Sequence, residues 1–142
     1  MRLHDVNVLI NAYRPEDGQH KQFRAVIEKT IQGEEAYAVS DVVLAGFIRV
    51  VTNKRIFKEP TRLSEAIEFA ETVRNQPHAV VINPGPRFWG IFTTLCVVAD
   101  AKAKLVPDAY LAALAIEHGC EFVTADRDFA KFPELRWRHP LN

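Results

Sequence analysis

Apolar positions along the chain fall into two rhythms, short unbroken runs and helical repeats, and the two alternate. Leu3 to Val6 is a brief strand-like run, and Val8, Leu9, Ile10 and Ala12 extend its apolar character into a short helix that stops at Arg14-Pro15. From Asp17 to Gly33, Phe23, Ala25, Val26, Ile27 and Ile31 predict an amphipathic helix opened by Asp17 or Gly18 and closed by Gly33. Tyr37-Ala38-Val39 predicts a buried strand, and Ser40 or Asp41 then caps a helix through Val42, Val43, Leu44, Phe47, Ile48, Val50 and Val51. A further helix spans Thr61 to Asn75, followed by Ala79-Val80-Val81-Ile82, a run expected of a strand covered on both sides. After the breaker Asn83-Pro84-Gly85-Pro86 come a helix from about Phe88 to Ala99 and another opened by Val106-Pro107-Asp108 and ended by Gly119. Phe122-Val123-Thr124 is the next strand, and Leu135-Arg136-Trp137 is expected as a last edge strand. Strands alternating with helices predict an α/β fold, a short central parallel sheet between helical layers.

Composition narrows this without changing it. The 142 residues suit one domain, residues 1–142, with 48% hydrophobic and 25% charged residues, which is globular composition. Eighteen basic against eighteen acidic residues give zero formal charge, so any nucleic-acid contact must be local rather than steered by a general field. Cys96 and Cys120 lack metal-ligand or disulfide spacing and are expected to be buried thiols. The N-terminus lacks a secretion-signal pattern and no run reaches membrane-spanning length, so the expected location is cytoplasmic, with no membrane partner.

The chemistry concentrates in aspartates that interrupt apolar surroundings. Asp5 stands in an apolar strand, where an uncompensated carboxylate would cost several kcal/mol. Asp108 opens a helix, Ala109 to Ile116, that is apolar nearly all round and therefore buried, although its carboxylate also complements the helix dipole. Asp126 and Asp128 directly follow the strand Phe122-Val123-Thr124, at the same carboxyl edge as Asp5, where open α/β sheets hold their ligands. Gathered carboxylates repel one another unless a cation is present, and oxygen-only ligands suit Mg²⁺ or Mn²⁺ rather than zinc. Such an ion supports phosphodiester hydrolysis, and Arg49, Lys54, Arg55, Lys58, Arg87, Lys102 and Lys104 offer charges for neighbouring phosphates.

The opening Asp5-Val6-Asn7-Val8-Leu9-Ile10 resembles the first motif of PIN domains, in which an Asp ends the first strand. The block Leu105 to Gly119 with Thr124-Ala125-Asp126-Arg127-Asp128-Phe129 resembles the second half of VapC-type toxins, and Phe47 to Asn53 and Phe132 to Trp137 resemble a subgroup abundant in mycobacteria. The resemblance covers nearly the whole chain. It implies a three-layer α/β/α PIN-like domain and a magnesium-dependent endoribonuclease that manganese can also serve, the toxin of a toxin–antitoxin pair. It also implies a homodimer, a VapB-type antitoxin as partner, and tRNA or ribosomal RNA loops as substrate. Position by position, Asp5 and Asp108 correspond to the metal ligands and Asp126 to a further catalytic acid, with Asp128, Thr124 and Asn7 in support. The departure is Gly46, where many PIN domains carry a Glu; Asp41 or Asp100 is the possible substitute. That departure motivates the alternative of a PIN scaffold that binds RNA or a protein partner without cutting.

Two other kinds of acidic-pocket protein fit less well. A phosphatase using Asp5 as nucleophile wants a second Asp two residues on, where this chain has Asn7, and a signalling receiver leaves Asp108 unexplained. Phe88, Trp89 and Trp137 are read as core or dimer-surface aromatics, and the five histidines show no ligand spacing.

Overall fold

The computed structural model describes residues 1–142. Five strands form one parallel sheet: β1 (Arg2–His4), β2 (Tyr37–Val39), β3 (Ala79–Val81), β4 (Glu121–Val123) and β5 (Trp137–Arg138), in the order β3-β2-β1-β4-β5. Six helices flank it: α1 (Val6–Tyr13), α2 (His20–Gln32), α3 (Asp41–Val51), α4 (Leu63–Arg74), α5 (Phe88–Val98) and α6 (Leu105–Glu117). α1 packs on α2 and α3, α3 packs on α4, and α5 pairs with α6, giving the three-layer arrangement expected.

The order places the site. The chain builds outward from β1 to β2 and β3, then returns to lay β4 on the other side of β1, so the strand order reverses at β1. Ligands of open α/β sheets bind at such a switch point, beyond the carboxyl ends of the strands. Leu3 pairs with Phe122 and His4 with Val123, which brings the ends of β1 and β4 level. Helix α6 returns the chain to β4 and therefore starts at this edge. It is the most deeply buried helix, with Ala109, Leu111, Ala112, Ala113, Leu114 and Ala115 in the core, as its nearly continuous apolar sequence requires.

Several boundaries differ from the pattern-based reading. Asp5 is not inside the strand but caps α1, its side chain accepting from Val6 N–H. β3 is an edge strand whose Val80 is 39% exposed; a three-residue apolar run looks the same at an edge as at a centre. α2 starts at His20 behind Gln19, α4 starts at Leu63, and β5 shares only Trp137 with the expected edge strand, ending one residue later. Thr61 instead is buried before α4 and accepts from the Arg14 guanidinium at 3.1 Å. Cys120 is buried but Cys96 is only half-buried, because α5 covers just Phe88 and Leu95 fully. Trp89 is 68% exposed and so lies outside the core, while Phe88 is in it.

Candidate active site

Thr124, the residue after β4, is fully buried and organises the edge. Its hydroxyl accepts from Asp126 N–H at 3.0 Å and from Asn7 Nδ2 at 3.1 Å, and donates to Asp5 Oδ2 at 2.7 Å. A hydroxyl offers one hydrogen and two lone pairs, so every hydrogen-bonding capacity of Thr124 is used, and its hydrogen must point at Asp5. Asn7 Nδ2 also donates to Asp5 Oδ2 at 3.0 Å, while its Oδ1 accepts from Ala125 N–H at 3.1 Å. Val6 N–H donates to Asp5 Oδ1 at 2.7 Å. The Asp5 carboxylate is thus 6% exposed and fixed by three donors, all of them neutral.

Asp108 reaches the same edge from the first turn of α6, with its side chain 14% exposed. Asp126 caps the 3-10 turn Arg127–Lys131, accepting from Asp128 N–H at 2.9 Å. Lys104, one residue before α6, donates to Asp126 Oδ2 at 2.7 Å and to Asp108 Oδ2 at 3.1 Å, and lies 3.9 Å from Asp128 Oδ2. Asp128 itself is half exposed.

The electrostatics follow from this geometry. Burial raises the Asp5 carboxyl above its ordinary range; the bonds from Thr124 and Val6 oppose this, and the charges of Asp108 and Asp126 add to it. Asp108 is also raised, again first by burial, with Lys104 opposing and Asp126 and Asp128 reinforcing. Asp126 is held low: burial works upward, but Lys104 and the Asp128 N–H outweigh it. Two of the three acids are therefore raised, mainly because they are withdrawn from water.

Gly46 has a packing explanation. A Cβ there would stand 3.2 Å from Val6 Cγ2, a tight contact that the Val6 side chain would have to yield to, so α3 approaches α1 closely here. Neither proposed substitute takes over: Asp41 is bound by the Arg74 guanidinium at 2.7 Å, and exposed Asp100 pairs with Lys102 at 3.3 Å. Neither figures among the charges acting on Asp5 or Asp108.

The sequence-predicted residues Asp5, Asn7, Asp108, Thr124, Asp126 and Asp128 are all brought to one edge. Of the basic residues, Lys104 is in the cluster, Arg87 is spent on the backbone carbonyl of Glu117 at 2.8 Å, and Arg49, Lys54, Arg55, Lys58 and Lys102 are exposed. Lys104, by sequence a candidate phosphate contact, is paired with acids of the site instead, and its place four residues before Asp108 is the spacing of a helical ion pair. The donor set fits a small hard cation. No three carboxylate, imidazole or thiol groups close on one point, but a magnesium-sized ion commonly takes one or two carboxylates and completes its shell with water.

A parallel sheet between helical layers, with aspartates gathered at its switch point, defines an acidic-edge α/β domain suited to phosphodiester chemistry. The PIN domain model matches residues 3–135. Ribonuclease VapC43 of Mycobacterium tuberculosis is 43% identical over 97% of this chain and 94% of its own length. Among solved structures, VapBC-1 from nontypeable Haemophilus influenzae superposes with TM-score 0.71 at 14% identity, covering 99% of this chain and 98% of that one. Mycobacterium tuberculosis VapC20, a toxin that cleaves the sarcin-ricin loop, gives TM-score 0.67 at 18% identity over 96% and 99%. The chain belongs to the PIN-domain family, in its branch of VapC ribonucleases. None of its helices is long and apolar enough to cross a membrane.

Proposed function

We propose that the chain is a Mg²⁺-dependent endoribonuclease, with Mn²⁺ able to substitute, in which Asp5 and Asp108 hold the ion and Asp126 is a further acid of the site. The observation that carries this reading is the convergence of Asp5, Asp108 and Asp126 at the switch point, with Asp5 buried among neutral donors only and Asp108 and Asp126 close enough to share one ammonium. A divalent ion bound there supplies charge neutralisation at a phosphate and a more acidic bound water. The chain's own residues do the rest. Thr124 and Asn7 fix the rotamer of Asp5 and favour its ionised form, because each donates to Oδ2. Asp126 receives the Asp128 N–H and keeps its second oxygen toward the cluster.

In this reading the protein is the toxin of a VapBC-type pair, cutting structured RNA such as tRNA or ribosomal RNA loops and held by a VapB-type antitoxin. Its likeness to the VapBC-1 fold and its identity with VapC43 support that assignment. The alternative, a PIN scaffold that binds without cutting, is favoured only by Gly46, which leaves α3 without an acid at that position.

The test is cleavage of total RNA by the purified chain in Mg²⁺ or Mn²⁺, against EDTA and against folded Asp5→Ala and Asp108→Ala proteins. Discrete metal-dependent cuts lost in both variants support the enzyme. Metal-independent retention of RNA with no cuts would leave the scaffold.

A further inference from the structure

We propose that Lys104 is a built-in competitor for the divalent ion: its ammonium occupies the acidic edge of the metal-free chain, and an incoming ion must displace it to seat on Asp108. The inference rests on the reading that Asp5 and Asp108 hold a metal.

Geometry carries it. Nζ of Lys104 bonds Asp126 Oδ2 at 2.7 Å and Asp108 Oδ2 at 3.1 Å, bridging two of the site's acids with a positive charge. No other basic side chain forms an ion pair with either of them. The helix itself gives a lysine here little support. Lys104 stands at the N-terminus of α6, where the dipole disfavours positive charge, and a lysine preceding its acidic i+4 partner is the weaker order. The backbone also pays for the approach: Ala103, immediately before it, has φ 50°, a left-handed conformation that costs an alanine about 1–2 kcal/mol. The carboxylates are therefore what hold the ammonium. The side chain is nevertheless 67% exposed on a flexible stem, so it can leave without disturbing the core.

Displacement by a monovalent ion exchanges one unit charge for another, whereas a divalent ion gains a second. Lys104 thus sets a threshold that favours divalent ions and lowers occupancy when they are scarce.

The experiment is Mn²⁺ titration of the full-length chain at one pH, by calorimetry and by electron paramagnetic resonance, for wild type, Lys104→Met, Lys104→Gln and Lys104→Arg. Circular dichroism melts establish folding. Lys104→Met and Lys104→Gln are expected to bind Mn²⁺ about three- to tenfold more tightly, the scale of two solvent-exposed ion pairs removed, with Lys104→Arg close to wild type. A gain shows that the ammonium opposes the ion, since losing a merely structural lysine would weaken the site or leave it alone. Folded Lys104→Met and Lys104→Gln proteins that bind Mn²⁺ no better than wild type overturn the competition while leaving the metal reading intact. Absence of Mn²⁺ binding in every variant, wild type included, overturns both.

Discussion

Asp108 in the first turn of α6 and Glu117 in its last are both withdrawn from water, with side chains 14% and 6% exposed, yet the protein meets their charges differently. Glu117 accepts from Gly85 N–H at 2.7 Å and Arg87 N–H at 2.9 Å, with His118 at 3.7 Å. Burial works upward on its carboxyl, but these donors and the nearby charges outweigh it and hold the group below its ordinary value. Asp108 has the helix dipole in its favour and Glu117 has it against, yet Asp108 is the one raised. Burial at Asp108, and directed hydrogen bonds with neighbouring charges at Glu117, outweigh the dipole. A carboxylate fully supplied with donors fastens the structure, in this case the loop before α5, whereas one left short of them is open to an external cation.

Neutralising the two carboxylates should separate these roles. Asp108→Asn is expected to lose more than about 100-fold in RNA cleavage, beyond what a residue that only orients a metal ligand is worth, while its urea midpoint holds or rises. The stability half follows from the sign of the shift, because a raised carboxyl is a charge the fold resists. An Asp108→Asn protein that unfolds early would break the comparison.

Glu117→Ala should do the opposite, losing about 2–3 kcal/mol of stability by urea denaturation through two orphaned backbone donors, with Mn²⁺ affinity kept. Gly85→Ala tests the same clamp from the other side, since its Cβ would lie 2.7 Å from Glu117 Oε2. If its midpoint falls with that of Glu117→Ala, and the double variant adds little, the two residues form one unit.

What the sequence made legible follows the same division. Asp5, Asp108 and Asp126 each interrupt or border an apolar run, so local pattern exposed them, and the alternation of runs gave the layers. Glu117 was invisible because its partners lie 32 and 30 residues away, in Asn83-Pro84-Gly85-Pro86-Arg87, which reads locally as a mere breaker. The spacing of Lys104 to Asp108 was legible as that of a helical ion pair, but its bond to Asp126, 22 residues on, was not. The edge position of β3 depends on strand order, which three residues of pattern do not encode.

Acid titration of the metal-free chain offers a smaller effect with opposite signs at the two ends of α6. Glu117, held below its ordinary 4.5, contributes stability that is present above that pH and lost as pH falls through its folded value. Asp108, raised above 3.8, contributes stability present below that pH and lost as pH rises through its folded value. Melting temperatures between pH 3 and 7 should therefore fall less steeply on acidification in Glu117→Gln and more steeply in Asp108→Asn. Parallel curves for the two variants would show that the clusters are not electrostatically distinct.

The smallest expected change tests what it costs to bring the Lys104 end of α6 to the site. Ala103 at φ 50° is strained in a way Glu117's end is not, where Gly119 takes the positive φ of 66°. Glycine at 103 would relieve about 1–2 kcal/mol of left-handed strain but add conformational entropy to the unfolded chain, worth about 0.5–1 kcal/mol. Ala103→Gly should thus stabilise the protein by about 0.5–1 kcal/mol in urea, whereas Gly119→Ala should destabilise it by a comparable amount. Because the strain is local to the approach, Mn²⁺ affinity should move little in Ala103→Gly. A large loss of affinity there would mean that the alanine's stiffness itself holds α6 and its Asp108 in register with Asp5.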